Sequence, residues 1–144
     1  MKHSYSAGAI LIGPTNRVAV VSQHGTSWSL AKGTLEKGED KLTALKREVE
    51  EETGITQLEV IRELGTYSRY LIGKTGGEDK THRKTITLFL CTTDEVKLEP
   101  QDPENPEARW VDADKVADLL THPKDKQFYQ EQLQEVRNFI SRRD

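Results

Sequence analysis

The feature that most constrains this chain is the segment Lys41–Thr53, a helix bracketed by its own start and stop signals. Asp40 stands where a side chain can accept the free amides of a first turn, and Gly54 stands where a helix ends. Leu42, Leu45 and Val49 recur at spacings of three and four, which predicts a buried stripe. At 100° per residue, Glu48, Glu51 and Glu52 fall within about 100° of one another, beside that stripe rather than opposite it. Like charges at these spacings repel by a few tenths of a kcal/mol per pair, so something positive should offset them. Clustered carboxylate oxygens suit a hard cation such as Mg²⁺, which is usually shared with substrate phosphates. Taken alone, the run also reads as a solvated acidic face, the common fate of charge runs.

Around this helix the chain is rich in β signals. Ser6–Ile12 and Arg17–Ser22 flank the turn sequence Gly13-Pro14-Thr15-Asn16 and predict a hairpin. The stretch from Gly25 to Gly38 reads as a glycine-bearing loop, Ile55–Tyr70 as extended, and Thr85–Thr92 as a buried strand. Gly73–Lys84 reads as a polar loop, Ala108–Val111 as a last strand, and Val116–Leu120 as a short helix. Tyr129, Leu133, Val136 and Ile140 mark the inner face of a C-terminal helix. Strands and helices mixed in this way give an α/β class. With no repeat and no dividing linker, residues 1–144 are expected to form one domain.

Charge and composition narrow the function. Against 21 Lys and Arg stand 24 Asp and Glu, a net charge of −3, whereas a general nucleic-acid binder carries a basic excess. An RNA 5′ end therefore remains the one nucleic-acid partner in view. No stretch approaches the roughly 20 apolar residues of a membrane span. The start, Met1-Lys2-His3-Ser4-Tyr5-Ser6, lacks the apolar core of a secretory signal, so a cytoplasmic protein is expected. The single Cys91 has no disulfide partner and sits in an apolar strand, where it reads as an inert buried thiol. His3, His24, His82 and His122 show no metal-ligand spacing. Monomer and homodimer are both open.

Gly33, Glu39, Arg47, Glu48, Val49, Glu51, Glu52, Gly54 and Ile55 fall in the order G-x5-E-x7-R-E-U-x-E-E-x-G-U, with U a bulky aliphatic residue. This segment, 33–55, resembles the Nudix box without departure. Its seven fixed residues would coincide by chance at about one start in 10⁸. The resemblance implies an α/β/α sandwich with a mixed β-sheet, in which the box forms a loop–helix–loop that holds divalent cations. It implies Glu48, Glu51, Glu52 and the Gly33 carbonyl as ligands of Mg²⁺, with Mn²⁺ as an alternative, and Glu104 as a further ligand from outside the box. Asp94 and Glu95 compete with Glu104 for that place. Arg47 and Glu39 would orient the carboxylates, and either Glu48 or Glu52 would be the general base. The implied reaction is attack of water on a phosphorus of a nucleoside diphosphate linked to another group.

Trp28-Ser29-Leu30-Ala31-Lys32-Gly33 resembles the W-x-x-P-K-G run of members that cleave dinucleoside polyphosphates, although Ala31 replaces the proline and Thr34 a following histidine. In those relatives the lysine meets phosphate, so Lys32 is the expected counterpart and Trp28 its neighbour. The stretch Tyr67–Lys84 combines stacking surfaces with cations. Tyr70 or Tyr67 would stack on a base, while Arg69, Lys80, Lys84 and His82 would meet phosphate. The equally plain reading is a solvated loop whose tyrosines pack inward. A dinucleoside polyphosphate such as diadenosine tetraphosphate, giving ATP and AMP, is the expected substrate. The alternatives are a nucleoside or deoxynucleoside triphosphate and a domain that senses nucleotide without cleaving it, against which the intact glutamates argue.

Overall fold

The computed structural model describes residues 1–23, 25, 27–73, 77–101 and 107–143. Its elements are β1 (Lys2–Ile12), β2 (Arg17–Gln23), β3 (Ser27–Thr34), α1 (Lys41–Thr53), β4 (Glu59–Ile72), β5 (Glu78–Thr92), β6 (Ala108–Asp112), a 3₁₀ turn at Ala113–Lys115, α2 (Val116–Leu119) and α3 (Pro123–Arg143). The strands form one sheet in the order β4-β5-β1-β3-β2-β6. The β1–β5 pair is parallel, running from Lys2 against His82 to Ile12 against Thr92. The other pairs are antiparallel, so the sheet is mixed, as the α/β reading expected.

Alternation along β1 divides the interior into two layers. Ala7, Ala9 and Leu11 join Ala31, Leu45 and Val49 under α1, while Ile10 and Ile12 join Leu88, Tyr129 and Val136 under α3. Burying both faces explains why the middle of β1 is an unbroken run of small and aliphatic residues. Helix α1 begins where Asp40 accepts the Thr43 amide at 2.8 Å and ends at Gly54 in left-handed backbone, φ 80°. The turn at Gly13–Asn16 forms as expected, with the Asn16 amide donating to the Gly13 carbonyl.

Several expectations are corrected. The hairpin of β1 and β2 registers only at Ile12 and Val18, because β1 spends its edges on β5 and β3. Residues 27–34 of the expected loop form β3, a strand disguised by its hidden polar residues Ser27, Ser29 and Lys32. Strand β5 starts at Glu78, so Lys80, His82, Arg83 and Lys84 sit on a strand rather than in a loop. Leu42 is 47% exposed and leaves the α1 stripe to Ala44, Leu45 and Val49. Among the described residues, no helix is long and apolar enough to cross a membrane.

Candidate active site

The loop from β3 into α1 is tied down by one arginine. The Arg47 guanidinium grips Glu39 with two bonds of 2.8 Å, from Nε and Nη2, and Nη2 also donates to the Thr34 carbonyl at 3.1 Å. Its Nη1 donates to Glu48 Oε1 at 2.7 Å and lies 3.4 Å from Glu51 Oε2. A planar donor fork suits this bidentate task in a way an ammonium does not. The Arg47 bonds hold the Glu39 carboxyl down at about 2, and Glu39 and Glu48 in turn push the guanidinium up.

The three carboxylates of α1 sit in different surroundings. Glu51 is the most open, while Glu48 is mostly covered and lies against Gly33. A Cβ at position 33 would stand 2.0 Å from the Glu48 carboxyl carbon, so only glycine admits this contact between helix and strand. Glu52 is buried and accepts the Lys32 backbone amide at 2.8 Å. Burial raises the carboxyl pKa of both Glu48 and Glu52, leaving them poorly solvated and receptive to positive charge.

Facing this ridge is a nest of buried cations. Lys32 of β3, Arg69 of β4 and Lys84 of β5 are 2%, 5% and 9% exposed. Gly8 of β1 makes room for the first, since a Cβ there would stand 2.2 Å from Lys32 Cβ. Asp125, in the first turn of α3, meets them from across the layer. Its Oδ1 lies 2.9 Å from Arg69 Nε and accepts the Tyr67 hydroxyl at 2.5 Å, and its Oδ2 lies 4.0 Å from Lys32 Nζ. Lys32 Nζ also donates to Ser29 Oγ. Burial pushes the Lys32 and Lys84 ammonium groups down. It also works against the Asp125 carboxylate, but Lys32 and Arg69 outweigh it and hold that group below the usual range. An isolated buried charge of this kind costs about 3–5 kcal/mol, so each member depends on the others. Sequence reading found the three cations but missed Asp125, which lies 58 residues from Tyr67 and carries no local signal.

The remaining candidates scatter around these two walls. Tyr70 is half-buried and lines, with Ser68, Arg69, Glu78, Lys80, Arg83 and Lys124, a cleft of about 400 Å³. His82 shares a 2.8 Å hydrogen bond with Ser4 Oγ. Trp28 packs toward α3, with the Arg109 guanidinium 4.6 Å above its ring and its amide donating to Thr121 Oγ1. Glu95 caps the turn after α1, accepting the Thr56 and Gln57 amides at 2.9 and 2.6 Å, and is thereby occupied structurally. Asp94 is exposed, Cys91 is buried as expected, and Glu104 and His24 lie outside the described residues. Among the described residues, no three His, Cys, Asp or Glu side chains converge as a ready-made metal centre. The donor chemistry nevertheless fits a hard divalent ion: two desolvated carboxylates and a third, more open one share a helix face, with a bare glycine backbone beside them.

Comparison with known proteins gives a consistent picture. The family model described as NUDIX domain matches residues 2–132. A protein of Pelagibacter ubique named RNA pyrophosphohydrolase is 30% identical, with 78% of each chain covered. Among solved structures, the dihydroneopterin triphosphate pyrophosphohydrolase of E. coli aligns with a TM-score of 0.73 at 21% identity, covering 94% of this chain and 99% of that one. A C. elegans Ap4A hydrolase aligns with a TM-score of 0.71 at 18% identity, covering 96% and 98%. At these identities the two structures bear on the fold alone.

Proposed function

The chain belongs to the NUDIX family, as a hydrolase of phosphoric anhydride bonds, and on that premise we propose that its substrate is a nucleoside polyphosphate long enough to lie across both the α1 ridge and the buried cations. One observation carries this reading: Lys32, Arg69 and Lys84 come from three strands into one desolvated nest beside Glu48 and Glu52. Polyphosphate is the ligand whose charge such a nest matches. Residues 1–144 act as one catalytic unit around the 33–55 box.

Glu48, Glu51, Glu52 and the Gly33 carbonyl would hold a divalent cation, Mg²⁺ or alternatively Mn²⁺, with Glu104 as the further ligand expected from sequence. Bound there, such an ion would supply charge neutralisation at the phosphates and a lowered pKa for the attacking water. Arg47 and Glu39 keep the ridge in register with β3. Glu48 or Glu52 takes the proton of the water. Lys32, Arg69 and Lys84 pair with the phosphate oxygens and hold the bound polyphosphate as firmly before the reaction as during it. In this reading His82 and Trp28 are further contacts of the substrate, and Tyr70 offers its ring to a base along the cleft it lines with Lys80 and Arg83.

A dinucleoside polyphosphate, diadenosine tetraphosphate giving ATP and AMP, is the leading substrate, because a row of cations favours a long polyphosphate over a short one. The second reading is the triphosphate at an RNA 5′ end, favoured by the name of the 30% identical Pelagibacter relative. Incubation with Mg²⁺ and chromatographic product analysis tests both, with diadenosine tetraphosphate, a 5′-triphosphorylated oligoribonucleotide and deoxynucleoside triphosphates in parallel. ATP plus AMP supports the first reading, and pyrophosphate release from the oligoribonucleotide the second. Turnover of deoxynucleoside triphosphates alone would overturn the long-substrate reading.

A further inference from the structure

We propose that Asp125 is a positioning residue for phosphate binding, a buried carboxylate at the start of α3 that holds Lys32 and Arg69 in the attitude in which they receive polyphosphate. The proposal rests on reading those cations as phosphate ligands. Three cations gathered from β3, β4 and β5 repel one another, and the sheet offers little to oppose them. Glu52 lends its field to Lys32 and Lys84 from α1, but it bonds the Lys32 backbone amide rather than a cationic head. Asp125 approaches from the opposite layer and touches both heads, Arg69 Nε at 2.9 Å and Lys32 Nζ at 4.0 Å.

The way it is held distinguishes this carboxylate from a packing group. Its Oδ1 is fixed by the Tyr67 hydroxyl at 2.5 Å, and the Tyr67 ring stacks on Phe128 of α3, with centroids 4.7 Å apart. Its Oδ2 is buried and has no hydrogen-bond partner. A group present only to satisfy the interior would be bonded at both oxygens. Here the free oxygen faces Lys32 from beyond bonding distance, so the lysine feels its field and, with one hydrogen given to Ser29 Oγ, keeps two for a ligand. Arg69 Nε likewise has no geometrically good hydrogen bond, although it lies in the ion pair. The arrangement is one in which α3 orients two donors without consuming them.

The test uses the whole protein and inorganic tripolyphosphate, titrated calorimetrically so that no turnover is required. Asp125→Asn keeps the shape and the Tyr67 bond but removes the charge, and it should weaken tripolyphosphate binding by about tenfold or more. In the hydrolysis assay the same variant should raise KM for the long substrate with kcat within about threefold of wild type. A merely structural role would lower the folded, active fraction, and so kcat, while KM stayed put. Tyr67→Phe, which keeps the stack on Phe128 and removes one hydrogen bond, is the milder variant and decides the matter if Asp125→Asn does not fold. It should weaken binding about threefold or more. Wild-type affinity in a folded variant overturns the proposal. Tighter binding also overturns it, because Asp125 would then be a competitor of phosphate rather than an organiser of its ligands. Failure of the wild type to bind tripolyphosphate overturns instead the reading of the nest as a phosphate site, and the proposal falls with it.

Discussion

The two walls of the site are built on opposite plans. The acidic ridge belongs to a single helix, is partly open to solvent, and is steadied by one arginine that grips a loop glutamate with two bonds. The cation nest is drawn from three strands, is almost dry, and is held from a distant helix by the buried Asp125 carboxylate. A ridge of this kind can lose a charge and keep its fold: water and Arg47 absorb the change at Glu48 and Glu51, and at buried Glu52 an amide of the same shape removes the cost of a dry charge. A nest of this kind cannot, because each charge is part of what makes its neighbours tolerable. Function and stability should therefore separate on one wall and travel together on the other.

The sharpest test of that difference is Glu52→Gln, which retains the acceptor for the Lys32 amide and removes a ligand charge. Activity should fall more than about a hundredfold while the melting temperature stays within a few degrees. Activity within about threefold of wild type would remove Glu52 from the ridge's chemistry. Next in size, Arg47→Ala should raise the Mg²⁺ concentration for half-maximal activity by about 10–100-fold, as loss of a ligand-orienting partner does. A parallel loss of folded protein would show that the ridge, too, is structural. Lys32→Met should raise KM for diadenosine tetraphosphate about tenfold, more than for a mononucleotide. It should also lower the melting temperature, which is the signature expected of the nest. Tyr70→Ala lies outside both walls, and its half-buried ring should cost about 1 kcal/mol in kcat/KM on substrates carrying a base, with stability unchanged.

The smallest effect is one of pH. His122 is buried, its Nε2 3.0 Å from Glu78 Oε2 and its Nδ1 accepting the Lys124 amide, a pattern that fits the neutral ring. Burial lowers its pKa in the folded state. Its contribution is thus present above the unfolded value of about 6.5 and is lost as pH falls through the lower folded value. The gap in melting temperature between wild type and His122→Gln should narrow steadily from pH 7.5 to pH 5. A gap independent of pH would mean that the ring is charged, or exposed, throughout.

What could be read from sequence follows the same division. The ridge is local: cap, stripe, glutamates and stop all lie within a few turns, and Gly33 to Ile55 carries them in one phrase. The nest is not, since Lys32, Arg69, Lys84 and Asp125 become neighbours only through pairing across the sheet and the seating of α3. Strand β3 escaped notice because it is covered on both faces and therefore lacks a period of two, and its serines and lysine are those of a site rather than of a surface. The first half of β5 escaped for a related reason, its polar residues Glu78–Lys84 running beyond the apolar core while still paired to β4. Leu42 misled in the opposite direction, an apolar residue left on the outside where one helix face had to be given to charge.

The parallel pairing of β1 with β5 has a consequence for how the molecule is born. Lys2 must wait for His82, and Ile12 for Thr92, before the centre of the sheet can close. At roughly 5–20 residues per second of synthesis, β1 spends about 4–16 s without its principal partner. Strand β3 and the loop into α1 register on β1 through Ser6–Ala9, so the template they settle on stays half-paired for the same interval. Until β5 is made, β1 thus keeps one aliphatic edge open, and the cation nest, which needs both β5 and α3, sets only afterwards.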